Sequence, residues 1–245
     1  MNPFCRLAFL GLTPFALLRP VTASIFEPTG DDTGIGLIQS TAVVFPSAML
    51  SNGVSTGEAR VVVCVDASGR LTDSLTVGYT DPAFAEAADH ALKHWTYEPA
   101  RVHGLARASR AEVLFTFRNN GDVTVQSSPA LGIEKRLITL LQEHYAYHAW
   151  QLRDLDRIPT PLHVVRPALK TGSPKHGSSR AVNVEFYIDP EGIVRAAAID
   201  PKETDDVYAA AAVAAVEQWR FAPPLRKGRP VLVVATQIFN FLPQP

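Results

Sequence analysis

Between Val182 and Ile188, the apolar residues Val182, Val184, Phe186 and Ile188 alternate with Asn183, Glu185 and Tyr187, the period-two signature of a strand buried on one face. Ala59, Val61, Val63 and Val65 repeat it in the first half of the chain. Each strand runs into a turn, Asp66-Ala67-Ser68-Gly69 or Asp189-Pro190-Glu191-Gly192, whose glycine reaches positive φ without a Cβ clash. A second strand follows in each copy, Arg70 to Val77 and Ile193 to Ile199, so a hairpin is predicted twice. The period then changes to that of a helix. Phe84, Ala88, Ala91 and Trp95 form one stripe, opened by a capping Asp81 with Pro82 at the first helical position. Tyr208, Ala212, Ala215 and Trp219 form the second stripe, with Asp205 or Asp206 as its cap. Alternation returns in a closing strand, Ala111, Val113, Phe115 and Phe117, matched by Ala235, Gln237, Phe239 and Phe241.

The helix ends carry a repeated block, Trp95-Thr96-Tyr97-Glu98-Pro99 and Trp219-Arg220-Phe221-Ala222-Pro223, followed at equal distance by Gly104 and Gly228. The offset between copies is 123 at the turns of Gly69 and Gly192 and 124 at the tryptophans. A unit seen twice implies an α+β fold of two tandem modules, each a three-stranded antiparallel sheet with one helix on one face. The modules are expected over residues 43–118 and 164–242. Residues 119–122 and 127–129 read as turn and loop. Ile133, Leu137, Leu140, Leu141, His144, His148 and Leu152 predict a linker helix over 132–155, within a linker spanning 119–163.

Composition adds bounds. With 47% hydrophobic and 19% charged residues, the chain is globular. Arg6, the apolar run Leu7 to Leu18 and the small residues before Ser24 predict an export signal over 1–23, cut after Ala23; the alternative is a membrane anchor, less favoured because the run is short and contains Pro14. The net charge of −1 falls to about −3 without Arg6 and Arg19, which offers no field for nucleic acid. Cys5 leaves with the signal and Cys64 lies alone in a strand, read as a packing residue rather than a reactive thiol.

Enzymatic chemistry would have to come from the histidines. His90 and His94, and His144 and His148, have a four-residue spacing that can place two imidazoles on one helix face for a metal. Neither pair has a third ligand in sequence, and Ala214 and Gln218 replace the first pair in the second copy. There is no phosphate loop, serine elbow or carboxylate pair. Asp66 and Asp189 read as turn residues bonding their own backbone. No catalytic residue, metal, cofactor or small-molecule substrate is therefore expected.

In order and spacing, these elements resemble the C-terminal domain of the TonB family. The residues that carry the likeness are Gly69, Trp95, Tyr97, Pro99 and Gly104 in one copy and Gly192, Trp219, Phe221, Pro223 and Gly228 in the other, with Pro46 and Pro167 ahead of them. The resemblance implies a periplasmic protein-interaction module that binds an extended segment of an outer-membrane transporter by strand addition. By that analogy the partner edge is the closing strand: Arg110, Ala111, Glu112, Val113, Leu114 and Phe115, or Val233, Ala235, Gln237 and Phe239. The chain departs from a full-length transducer in lacking a long proline-rich spacer, its 19 prolines being scattered. A homodimer is a further expected partner, and the alternatives are a structural envelope protein with self-packed modules or a metal-dependent enzyme.

Overall fold

The computed structural model describes residues 32–129, 144–169, 180–199 and 207–241. The expected signal, the cap at Asp205 or Asp206 and the start of the expected linker helix lie outside the described residues. In chain order, β1 (Gly36–Gln39) and a short helix α1 (Ser47–Ser51) precede the hairpin β2 (Thr56–Val65) and β3 (Leu71–Tyr79). Helix α2 (Pro82–Lys93) follows, then β4 (Thr96–Glu98), β5 (Ala100–Val102), β6 (Leu105–Arg107), β7 (Ser109–Arg118) and β8 (Val123–Pro129). Next come β9 (Tyr147–His148), β10 (Trp150–Gln151) and β11 (Pro161–His163). The second half holds β12 (Arg180–Ile188), β13 (Val194–Ala198), α3 (Val207–Val216), β14 (Arg220–Phe221), β15 (Leu225–Arg226), β16 (Arg229–Pro230) and β17 (Val233–Phe241).

Local chemistry sets these boundaries. The Asp81 carboxylate accepts the Ala83 N–H at 2.9 Å, capping α2. Asp66 Oδ1 accepts from the Ser68 and Arg70 amides, and Asp189 Oδ1 from those of Glu191 and Ile193, so both aspartates are turn residues. Gly69 and Gly192 have φ of +83° and +85°. A Cβ on Gly69 would lie 2.5 Å from the Tyr97 carbonyl oxygen, and one on Gly192 would strike that of Phe221. The turn glycine and the tryptophan block are thus fitted to each other.

Two larger sheets result, in the orders β8-β7-β2-β3-β9 and β10-β17-β12-β13, with the two-stranded pairs β1-β4, β5-β6, β11-β14 and β15-β16 beside them. Each exceeds the expected three strands. Val123 and Val125 are buried, and their alternation makes β8 a strand where part of the sequence reads as loop. The expected linker helix does not extend over its described part. Tyr147 pairs with Tyr79, Ala149 donates its N–H to the Val77 carbonyl, and Trp150 donates to that of Leu232. The two sheets offer open edges on either side of this segment, and pairing with both outweighs its helical spacing.

Helix α2 packs on one face of the first sheet, burying Phe84, Ala88, Ala91 and Trp95 against Ala59, Val61 and Val63. Helix α3 does the same in the second sheet, where Tyr208, Ala212 and Trp219 meet Val182, Val184 and Phe186. The faces left over pack on each other: Val62, Leu75 and Val77 meet Tyr187, Ala196 and Leu232. The order of layers is helix, sheet, sheet, helix. The strands of the middle layers are therefore buried on both faces, and Glu185, at an expected solvent position, is buried. It is matched by Arg110, which donates to Glu185 Oε1 at 2.6 Å and to the Ala196 carbonyl at 2.6 Å. Beside them Arg195 donates to Asp73 Oδ1 and Oδ2 at 2.5 and 3.1 Å, which holds the guanidinium above its ordinary pKa. Charges buried between sheets persist because each has an opposite charge in hydrogen-bonding contact.

Candidate functional site

The likeness of the halves extends to detail. Trp95 donates its indole N–H to the Thr41 carbonyl at 3.1 Å, and Trp219 to that of Val165 at 2.8 Å. Gly104 and Gly228 close two-residue turns in which His103 and Lys227 also take positive φ, the mirror-type turn that joins the short hairpins β5–β6 and β15–β16. Asp32 accepts the His103 N–H, and Asp156 those of Lys227 and Gly228; the two Asp156 bonds hold its carboxyl below its ordinary pKa. The edge strand β1 lies on β4 as β11 lies on β14. Tyr97 is buried with its hydroxyl on the Leu92 carbonyl at 2.8 Å, and burial raises its pKa. Pro99 separates β4 from β5 and Pro223 separates β14 from β15, consistent with a residue that cannot donate to a ladder.

The closing strands differ. In the first half β7 is an interior strand, with β2 on one side and β8 on the other over Ala111 to Phe117. The expectation of an open edge at Arg110, Ala111, Glu112, Val113, Leu114 and Phe115 is corrected accordingly: the chain itself supplies the neighbouring strand. Arg110 faces the second sheet, and Glu112 pairs with Arg60 across β2. In the second half β17 has β12 on one side, but on the other β10 reaches only Val233 and Val234, in parallel. Among the described residues no strand covers Ala235, Gln237, Phe239 and Phe241 on that side, whereas Val233 is capped by β10.

Burial follows from this difference. Phe115 and Phe117 are fully buried beneath β8, while their counterparts Phe239 and Phe241 are half-exposed. The Phe239 ring lies tilted against Trp219 at 5.7 Å and Phe241 meets Tyr208 edge-on at 4.9 Å, so both rings are held in place while partly exposed. Ile238, on the opposite face, is 55% exposed. The second half thus presents, among the described residues, a length of strand edge without a neighbouring strand beside an apolar shelf. Sequence reasoning located both closing strands; it missed that β8 seals one, although Val123 and Val125 carry the alternation that would have shown it.

The paired histidines of the sequence have separate partners. His94 Nδ1 donates to the His90 carbonyl at 2.7 Å, and His144 Nε2 lies 3.3 Å from Glu58 Oε2, which also accepts from the Tyr145 hydroxyl at 2.6 Å. Among the described residues no group of three or more His, Cys, Asp or Glu side chains is placed to hold a metal ion. Burial pushes the Cys64 thiol up to about 12. No helix among the described residues is long and apolar enough to cross a membrane.

No curated protein and no solved structure matches the chain. Residues 175–243, the stretch that folds into the second sheet from β12 to β17 with helix α3, match the family described as Gram-negative bacterial TonB protein C-terminal.

Proposed function

We propose that both halves are copies of the TonB C-terminal module, and that the chain is a non-enzymatic, exported envelope protein. Its second module binds an extended segment of a protein partner, an outer-membrane transporter or another envelope protein, by strand addition at β17. The observation that carries this reading is the length of β17 from Ala235 to Phe241, on whose outer side no strand lies among the described residues, flanked by the partly exposed rings of Phe239 and Phe241. Unpaired N–H and C=O groups along an edge supply affinity to any extended chain, and the adjacent shelf supplies selectivity.

The test is a titration of the purified chain with peptides from the N-terminal segments of outer-membrane transporters, followed by amide exchange. Saturable binding with slowed exchange across Ala235–Phe241 is expected. Absence of both for every peptide overturns the reading. The structural alternative draws on a separate observation, the face-to-face packing of the sheets and the sealing of β7 by β8. It predicts that Ala235–Phe241 exchanges as slowly as Ala111–Phe117 in the chain alone.

A further inference from the structure

The first half contains a strand lying on the edge that, among the described residues, has no strand beside it in the second. Strand β8 runs antiparallel to β7 with Val123 opposite Phe117, Val125 opposite Phe115 and Ser127 opposite Val113. Val123 and Val125 point into the helix-covered face and are buried, while Thr124 and Gln126 point away and are exposed. In the second half the positions that receive these residues are Phe241, Phe239 and Gln237. Two of the three seats are aromatic as in the first half. The third has changed from the apolar Val113 to an amide, which in the structure donates to the Ile238 carbonyl at 2.8 Å.

Resting on strand addition at β17, we propose that β8 is the attached image of the missing ligand. The partner segment lies antiparallel to β17 and carries two small β-branched apolar residues at alternate positions, opposite Phe241 and Phe239. Two residues further on it carries a hydrogen-bonding residue opposite Gln237. Three observations fix this. The pairing of β12 with β17 sets Phe186 beside Ala235, as that of β2 with β7 sets Val63 beside Ala111, so the two closing strands present equivalent faces. The aromatic shelf is preformed by Trp219 and Tyr208 and has the depth of a valine rather than a large ring, because in the first half valines close it completely. At the third seat the register decides: β8 sets Ser127 opposite Val113, the counterpart of Gln237, and the Gln237 side-chain oxygen can accept from a hydroxyl or amide placed there. The parallel strand β10 ends the site at Val234 and limits the ligand's C-terminal reach.

The probe is a synthetic peptide with the sequence of residues 123–129, spin-labelled at one end or the other and added to the isotope-labelled full chain. A label at the N-terminus is expected to broaden amides near Phe241, and one at the C-terminus those near Ala235. Replacing the second valine by aspartate is expected to weaken binding at least tenfold. The opposite polarity of broadening overturns the orientation while leaving strand addition standing. Broadening near Phe117 means exchange with β8 and overturns the assignment to β17. Slow amide exchange across Ala235–Phe241 in the chain alone means that the edge is filled by its own residues, and overturns the proposal. If neither this peptide nor any transporter segment binds, strand addition itself fails.

Discussion

The ion pair between the sheets gives the sharpest energetic test. Arg110 is 3% exposed, donates to Glu185 and to the Ala196 carbonyl, and lies with its guanidinium 5.6 Å from the centre of the Tyr187 ring. Replacing it by methionine keeps much of its volume but leaves the Glu185 carboxylate, itself 9% exposed, without this partner in an apolar seam. Breaking a buried pair from one side costs about 3 to 5 kcal/mol, mainly as the desolvation of the charge left behind. Glu185→Leu leaves a buried guanidinium instead and is expected to cost a similar amount. The double variant Arg110→Met with Glu185→Leu removes both charges at once, and replacing a buried pair by well-packed apolar residues is neutral within about 1 kcal/mol or stabilising. Urea unfolding of the four proteins, read by tryptophan fluorescence at constant slope, measures the cycle. A double variant less destabilised than either single is the expected result. Single costs under about 1 kcal/mol, or strictly additive costs, would show that the pair is solvated and that the sheets do not meet there.

Trp219→Ala removes an indole packed against Phe186, Phe221 and Phe239 and strands the Val165 carbonyl, and should cost roughly 3 to 5 kcal/mol in the same assay; His144→Ala, at a half-exposed ring, should cost under about 1 kcal/mol. Asp66 accepts from the Ser68 hydroxyl and from the Arg70 and Ser68 amides, which lowers its pKa to about 2. Because the folded value lies below the unfolded one, the turn's contribution is present above about pH 4 and is lost as the pH falls toward 2; carboxyl NMR should place the midpoint there, and a midpoint near 4 would show that the turn bonds do not form. With its thiol raised to about 12, Cys64 should have on the order of 10⁻⁴ of its population ionised at pH 8 and alkylate roughly a thousandfold more slowly than a free thiol, regaining the free rate in denaturant. Equal rates in both states would place it at the surface.

The strands, helices and tryptophan anchors of both halves were legible because each rests on a local period: two for Val182 to Ile188, three to four for Phe84 to Trp95. What the sequence hid depends on tertiary pairing. Glu185 and Arg110 each look like a solvent residue on its own strand, and only the meeting of two sheet faces makes them a pair. Tyr147 to Gln151 has helical spacing with its neighbours, yet it joins two sheet edges that sequence does not reveal. The clamps at Asp32 and Asp156 escape notice because a side chain holding one backbone amide, or two, forms no periodic signal. The candidate edge was half legible: β17 was identified from its own alternation, while the sealing of β7 depends on a strand whose last three residues, 127–129, were read as loop.

The reach of Trp219 back to the Val165 carbonyl bears on where an autonomous unit begins. The family match starts at residue 175, but the indole's acceptor, the Asp156 clamp on Lys227 and Gly228, and the parallel cover that β10 gives Val233 all come before it. Leu152, Leu155 and Leu169 also lean on the core from that side. A piece cut at residue 175 would keep the family's recognisable residues and lose the girdle that closes their core, so the half that carries the signature borrows part of its foundation from the chain before it.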